Sequence, residues 1–233
     1  MLSKKALFLF VAAAFALFAC KKTQKDVPVG ECGVVNYDGF DYHTVKIGNQ
    51  CWLKENLRNT HFNDGTTITE AEDSLTWVSD STGAWCIYGG DSISMQARID
   101  TEAYFGKLYS WKAATDPRMC PNGWHMPTIS EWKQLTDNYI ESGCALKKVD
   151  GHWANGGPYA APTDISNFSA LPAGGRTYNA TFHLIDSSAY FWSNDPLNVL
   201  PVVIHYNTKF ADVNPSIVGP ARGGFSCRCI QNQ

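Results

Sequence analysis

Charge is scarce in this chain. Only 18% of its 233 residues are Asp, Glu, Lys or Arg, and the balance is slightly acidic, −3 at pH 7. No basic stripe or block is present, so nucleic acid is not an expected partner. The longest apolar run, residues 6–19, has 14 residues; a membrane-crossing helix needs about 20. No C-x₂-C pair occurs, and the six histidines are scattered (His43, His61, His125, His152, His183, His205), which argues against zinc. No repeat of fixed period and no low-complexity break divides the chain. No paired carboxylates, no Ser/His/Asp arrangement, no cysteine in an active-site motif and no glycine-rich phosphate loop stands out. These absences lead to the expectation of a protein that is not an enzyme and has no resident cofactor or metal.

Lys4 and Lys5 precede the apolar run, which ends in Leu17-Phe18-Ala19-Cys20. A small residue before a cysteine after such a run is similar to a bacterial lipobox. Residues 1–19 are expected to be a lipoprotein signal peptide, with Cys20 lipidated; an ordinary secretory signal is the competing reading. Acyl chains on Cys20 would hold the protein on a membrane, each buried CH₂ contributing about 0.8 kcal/mol. Residues 20–34, polar and basic at first, form the lipidated cysteine and tether, and residues 35–233 the folded domain. Loss of residues 1–19 takes Lys4 and Lys5 and leaves a net charge of −5.

What the chain has in quantity is aromatic residues and cysteine. There are 8 Trp, 10 Tyr and 12 Phe, a composition suited to a compact, turn-rich domain with an aromatic core. Seven cysteines follow Cys20: Cys32, Cys51, Cys86, Cys120, Cys144, Cys227 and Cys229. An exported chain meets an oxidising compartment, so disulfides are expected. The number is odd, which leaves at least one thiol free in a monomer. Cys227 and Cys229 would share one face of a strand and need separate partners.

The chain is organised around residues 120–135, CPNGWHMPTISEWKQL. Pro121, Asn122 and Gly123 supply a turn. Trp124 and Met126 alternate about His125 as in a short strand, and Pro127 holds Met126 extended. Thr128 and Glu131 fit a capping box, with Trp132 and Leu135 on one face of the helix that follows. That helix is expected to run to about residue 138 or 142, with Gly143 as its stop signal. An earlier helical pattern, Tyr104, Leu108 and Trp111, is interrupted by Gly106. Near the N-terminus, Asp38-Gly39 marks a hairpin turn and Gly48-Asn49 a second turn. Beyond residue 147 only short strands and turns are legible. Two helices followed by many short strands give α+β.

Taken together, these segments resemble the Fibrobacter succinogenes major paralogous domain family, common in lipoproteins of Bacteroidetes. The matching stretches are YDGFDYHTVKIGNQCWLKENL, YFGKLYSWKAA, CPNGWHMPTISEWKQL, FSALPAGGR, YFWSND and GGFSCRCI, in that order. The resemblance implies a C-type lectin-like fold: two helices packed on a mixed, loop-rich sheet whose terminal strands pair. It implies a Cys120–Cys229 bridge, and, with both residues in motifs near the paired termini, a second bridge between Cys51 and Cys227. It also implies a lipid-anchored outer-membrane location. Some relatives of the fold are formylglycine-generating enzymes, but their cysteine pair is not recognisable here.

The implied role is a monomeric, non-catalytic binding or display module for a glycan or protein ligand. A structural outer-membrane component and an enzyme acting on envelope polysaccharide are the alternatives. Trp52, Trp111, Trp124 and Trp132 read as core. Trp77, Trp85, Tyr88 and Trp153 sit in turn-rich segments, and of these Trp85, Tyr88 and Trp153 are the expected ligand contacts. Asn194 and Asp195, in Trp192-Ser193-Asn194-Asp195, resemble the corner that binds calcium and sugar in true C-type lectins; a plain turn is the competing reading. His205 and Tyr206 complete the candidates, within residues 194–221. The same fold displays such a segment for mutagenesis in diversity-generating retroelements, and that role is a further expectation. His125 beside Glu131 is read as structural, not as an acid–base pair.

Overall fold

The computed structural model describes residues 27–157, 160–195, 201–205, 207–213 and 223–233. The lipidation expected at Cys20, the contact expected at Tyr206 and much of the segment 194–221 lie outside them. Among the described residues no helix is long and apolar enough to cross a membrane.

The N-terminal quarter is a meander: β1 Val29–Gly30, β2 Val34–Tyr37, β3 Phe40–Ile47 and β4 Gln50–Leu53. Asp38 and Gly39 both have positive φ, 48° and 79°. That is the twist-matched hairpin turn their dipeptide favours. On β3, Tyr42, Val45 and Ile47 turn inward. The next segments are β5 Thr69–Glu70, α1 Ser74–Ser79, β6 Ala84–Cys86, α2 Met95–Phe105, β7 Leu108–Ser110 and α3 Trp111–Ala114. They are followed by β8 Trp124–His125, α4 Ile129–Asp137 and α5 Ser142–Leu146. The C-terminal part is β9 Ala173–Arg176, β10 Phe182–Ile185, β11 Ser188–Phe191, β12 Val202–His205, β13 Ala211–Val213, β14 Gly224–Phe225 and β15 Ile230–Gln231.

The strands form two sheets. One has the order β1-β3-β4-β15-β8, with β2 on β3. It joins the two ends of the domain: Ile230 of β15 lies opposite Trp52 of β4 on one side and His125 of β8 on the other. The other has the order β13-β12-β11-β9-β14-β7-β6-β5, with β10 on β9. It is mixed, since β11 runs parallel to β9 and β5 parallel to β6. The architecture is α+β, with more and shorter helices than the two expected.

The capping box forms as its residues dictate. Thr128 Oγ1 accepts the Glu131 N–H at 3.2 Å, and Glu131 Oε2 accepts the Thr128 N–H at 2.8 Å. Trp132 and Leu135 are then buried against Trp52, Phe168 and Phe191, with the Trp52 and Trp132 rings 4.7 Å apart. The earlier helical pattern does not run through. α2 ends at Gly106, where φ is +76°, and the chain turns into β7. A Cβ at 106 would lie 2.8 Å from Asn56 Cβ, so this glycine also lets two segments touch. Gly143 is not a stop. It lies inside α5, where a Cβ would meet the backbone of Lys209 and Phe210 at 2.8 Å.

The Cys120–Cys229 bridge is present. The Cys51–Cys227 bridge is not. Cys51 is bonded to Cys32, and Cys227 is a buried free thiol, as is Cys86. The physical reason is the register. β3 faces β1 at Gly30–Lys46 and β4 at Lys46–Cys51, which brings the loop after β1, with Cys32, close to Cys51. The Cys32 N–H is held by Thr44 Oγ1 at 2.8 Å.

Candidate functional site

The aromatic contacts expected from the sequence are mostly internal. Trp85 on β6 is buried; its Nε1–H donates to Ile68 O at 3.2 Å and Lys107 Nζ sits 4.6 Å from its ring centre. Trp153 is buried too, donating to Ala170 O at 3.1 Å with Lys147 Nζ 5.2 Å away. Trp77 turns inward from α1, and the Arg176 guanidinium lies 4.7 Å over its ring. Turn-rich sequence around these residues reflects short strands and loops packed on a core, not an open surface. Only Tyr88 stays half-exposed, its ring 5.1 Å from Phe182.

The remaining candidates do not converge with Tyr88. Tyr88 follows β6, and His205 closes β12, five places away in the sheet. His205 Nδ1 is 2.7 Å from Ser188 Oγ, a partner dictated by the β11–β12 register, and burial lowers its pKa. Asn194 and Asp195 are half-exposed, and the Asn194 N–H donates to Pro127 O at 2.7 Å, a long-range bond to the segment before α4. Among the described residues no group of three or more His, Cys, Asp or Glu is arranged to hold a metal ion. His125 Nε2 is 2.9 Å from Glu131 Oε1, and its Nδ1 2.7 Å from Asn232 Oδ1. It ties the capping box to the chain end.

The described surface does carry a cleft, of about 450 Å³, that none of these candidates lines. Three segments build it. One is residues 72–74, leaving β5 and entering α1. The second is the turn 89–92 before α2. The third is residues 180–182, where the β9–β10 hairpin enters β10. Asp73 caps α1, its Oδ1 accepting the Thr76 N–H at 2.9 Å. Ser94 caps α2 by accepting the Ala97 N–H. These local stops fix where the cleft's walls begin.

Glu72 and Arg176 are its buried charges. Arg176 is spent on backbone: Ala71 O at 2.6 Å, Glu72 O at 2.7 Å and Ala180 O at 3.2 Å. Its guanidinium lies between the Trp77 and Phe182 rings, 4.7 Å from each. Glu72 Oε1 accepts the Ile87 N–H at 3.0 Å and Arg98 Nη2 at 2.9 Å. Arg98 also reaches Glu70 at 2.9 Å and Asp91 at 3.4 Å. Glu72 Oε2 is buried and has no donor. Burial raises the Glu72 pKa to about 7. The cleft floor is thus a carboxyl poised near neutrality, and its mouth is acidic through Asp73 and Asp91.

Exposed large apolar side chains lie on the elements next to the cleft, outside its lining: Leu75 (84% exposed) and Val78 on α1, Met95 (71%) and Ile99 on α2, Tyr178 in the β9–β10 turn and Leu184 on β10. Other exposed apolar residues, such as Val34, Ile140 and Phe210, are spread over other segments. The sequence signal for this site was the acidic run Glu70-Ala71-Glu72-Asp73 inside a turn-rich stretch.

The described residues thus form a disulfide-bonded α+β domain with a loop-built cleft. Residues 45–231 match the Fibrobacter succinogenes major domain, and the chain belongs to that family. No curated protein and no solved structure matches it.

Proposed function

We propose that the protein is a non-catalytic binding module of the cell envelope whose ligand is a polypeptide surface. The observation that carries this reading is the set of exposed apolar side chains, Leu75, Met95 and Ile99 with Tyr178, on the elements next to an acidic cleft. Sugars stack on aromatic faces, and the tryptophans in the expected positions are buried. Exposed aliphatic and tyrosine side chains around a charged centre have the composition of a protein interface. The non-catalytic reading is supported at Ser188 and His205, the described pair most like a nucleophile and base. Ser188 is fully buried, out of a substrate's reach.

The C-type lectin-like fold is part of the proposal. It is supported by the sharing of one sheet by β4 and β15, and by the Cys120–Cys229 bridge that ties the turn before α4 to the C-terminal strand. A lipid anchor at Cys20 and an outer-membrane location are proposed from the sequence of residues 1–20. A glycan ligand is the second reading, favoured by Ser74, Ser92, Thr181 and the Phe182 ring in the cleft lining.

The test is an array of glycans and envelope and host proteins, probed with the full-length protein in calcium and again in EDTA. The expected result is a protein hit that survives EDTA and is lost in the Leu75→Ser/Tyr178→Ser variant. Glycan hits lost in EDTA would overturn the reading and move the site to Asn194 and Asp195.

A further inference from the structure

The chemistry of the cleft narrows the partner further; this inference rests on the protein-binding reading above. The Glu72 side chain is 6% exposed, and its Oε2 meets no donor. An acceptor left in that state is unfavourable, so a donor from outside gains by reaching it. Neither neighbouring cation supplies one. Arg176 gives its donors to three backbone carbonyls. Arg98 gives its own to Glu70, Asp91 and the other oxygen of Glu72. Four carboxylates in and beside the cleft, Glu70, Glu72, Asp73 and Asp91, outnumber the two guanidinium groups, so the balance there is negative.

We propose that the cleft receives the ammonium group of a lysine side chain from a polypeptide partner, with Glu72 Oε2 as the buried acceptor and Asp91 at the mouth. The geometry selects an ammonium over a guanidinium. An arginine fork needs two parallel acceptors on one carboxylate, and Glu72 Oε1 already holds Ile87 and Arg98. A lysine is a compact point donor that one open oxygen satisfies. Its methylene stem would lie against the Phe182 ring of the cleft lining, and the flanking residues of the partner against Leu75, Met95 and Tyr178 on the adjoining elements.

Proton linkage gives the proposal a signature. Burial holds Glu72 near pH 7, so part of the population is protonated at neutrality. An ammonium binds the ionised form, so binding releases protons and tightens as pH rises from 6 to 8. The groups facing Glu72 are Glu70 from β5, Cys86 from β6, Asp91 from the turn, Arg98 from α2 and Arg176 from β9.

The experiment is a titration of ¹⁵N-labelled full-length protein with Nα-acetyl-lysine methylamide, followed by NMR at pH 6 and pH 8. Parallel arms use the arginine analogue and glucosamine. Saturable shifts are expected at Ile87, residues 89–92 and the Arg98 side chain, with at least about threefold tighter binding at pH 8. Glu72→Gln should abolish the shifts and the pH dependence. Asp91→Asn, at an exposed position, should weaken binding severalfold without disturbing the fold. An unmoved cleft, equal binding of the arginine analogue, or full binding by both variants would overturn the lysine assignment. If the lysine arm fails while array binding is still lost in Leu75→Ser/Tyr178→Ser, the docking surface stands and the ammonium inference alone falls. Glucosamine as the tightest ligand would overturn both.

Discussion

At Glu72, burial and charge pull against each other. Burial raises its pKa, while the Ile87 N–H and Arg98 hold it down, and burial wins to leave it at about 7 against a usual 4.5. A folded pKa raised above the unfolded one means that the folded state binds the proton more tightly. The contribution to stability is complete below pH 4.5 and is lost as pH rises through 7. Denaturant unfolding at pH 5 and pH 8 should therefore show wild type losing on the order of 2 kcal/mol more than Glu72→Gln across that interval. Parallel behaviour of the two proteins would contradict the buried carboxyl. The same measurement separates core from contact for the tryptophans. Trp85→Ala and Trp153→Ala should each cost about 3–5 kcal/mol, the cost of emptying a buried aromatic site. Losses under 1 kcal/mol would return them to the surface. Little of this was legible in sequence. Glu72 is one acid in a short acidic run until Ile87, Arg98 and Arg176 arrive from distant segments. Trp85 and Trp153 carry the same turn-rich neighbours whether they face inward or outward.

Elements were more legible where their signals are local. The Asp38-Gly39 turn and the Thr128–Glu131 capping box each depend on four or fewer consecutive residues, and both form as read. Thr128→Ala should lower stability by about 1 kcal/mol, measured by urea unfolding, because the Glu131 N–H loses its acceptor at the start of α4. No change would contradict the capping role. Gly106 and Gly143 show where local reading stops. Both looked like interruptions or ends of helices. Gly106 ends α2 but is also demanded by Asn56, and Gly143 is demanded by the backbone at 209–210. Nothing within a few residues of either glycine announces those contacts.

At the scale of the whole molecule, the domain closes its ends on each other. β15 lies between β4 and β8, and the Cys120–Cys229 bridge, 109 residues apart in sequence, locks that arrangement. By loop entropy the bridge contributes about 4–5 kcal/mol, and the shorter Cys32–Cys51 loop about 3 kcal/mol. Peptide mapping without reduction should recover both linked pairs. Cys86 and Cys227 should take up an alkylating reagent only after unfolding, since both are fully buried. A Cys51–Cys227 peptide would contradict the fold. The family motifs made one bridge readable, whereas the other depends on which strand β4 meets, a property of the assembled sheet. The same assembly brings three loop segments into one cleft.

The central claim is that this cleft, with the exposed apolar side chains on the elements beside it, is the working surface. A photo-crosslinking residue placed in turn at Leu75, Met95 and Tyr178, and on other segments at Val34 and Ile140, tests it in the intact chain in its own cell. The account expects one and the same protein adduct from the first three positions, lost when Glu72→Gln is added, and none from Val34 or Ile140. Adducts from Val34 and Ile140 alone, or equal labelling at all five positions, would contradict it.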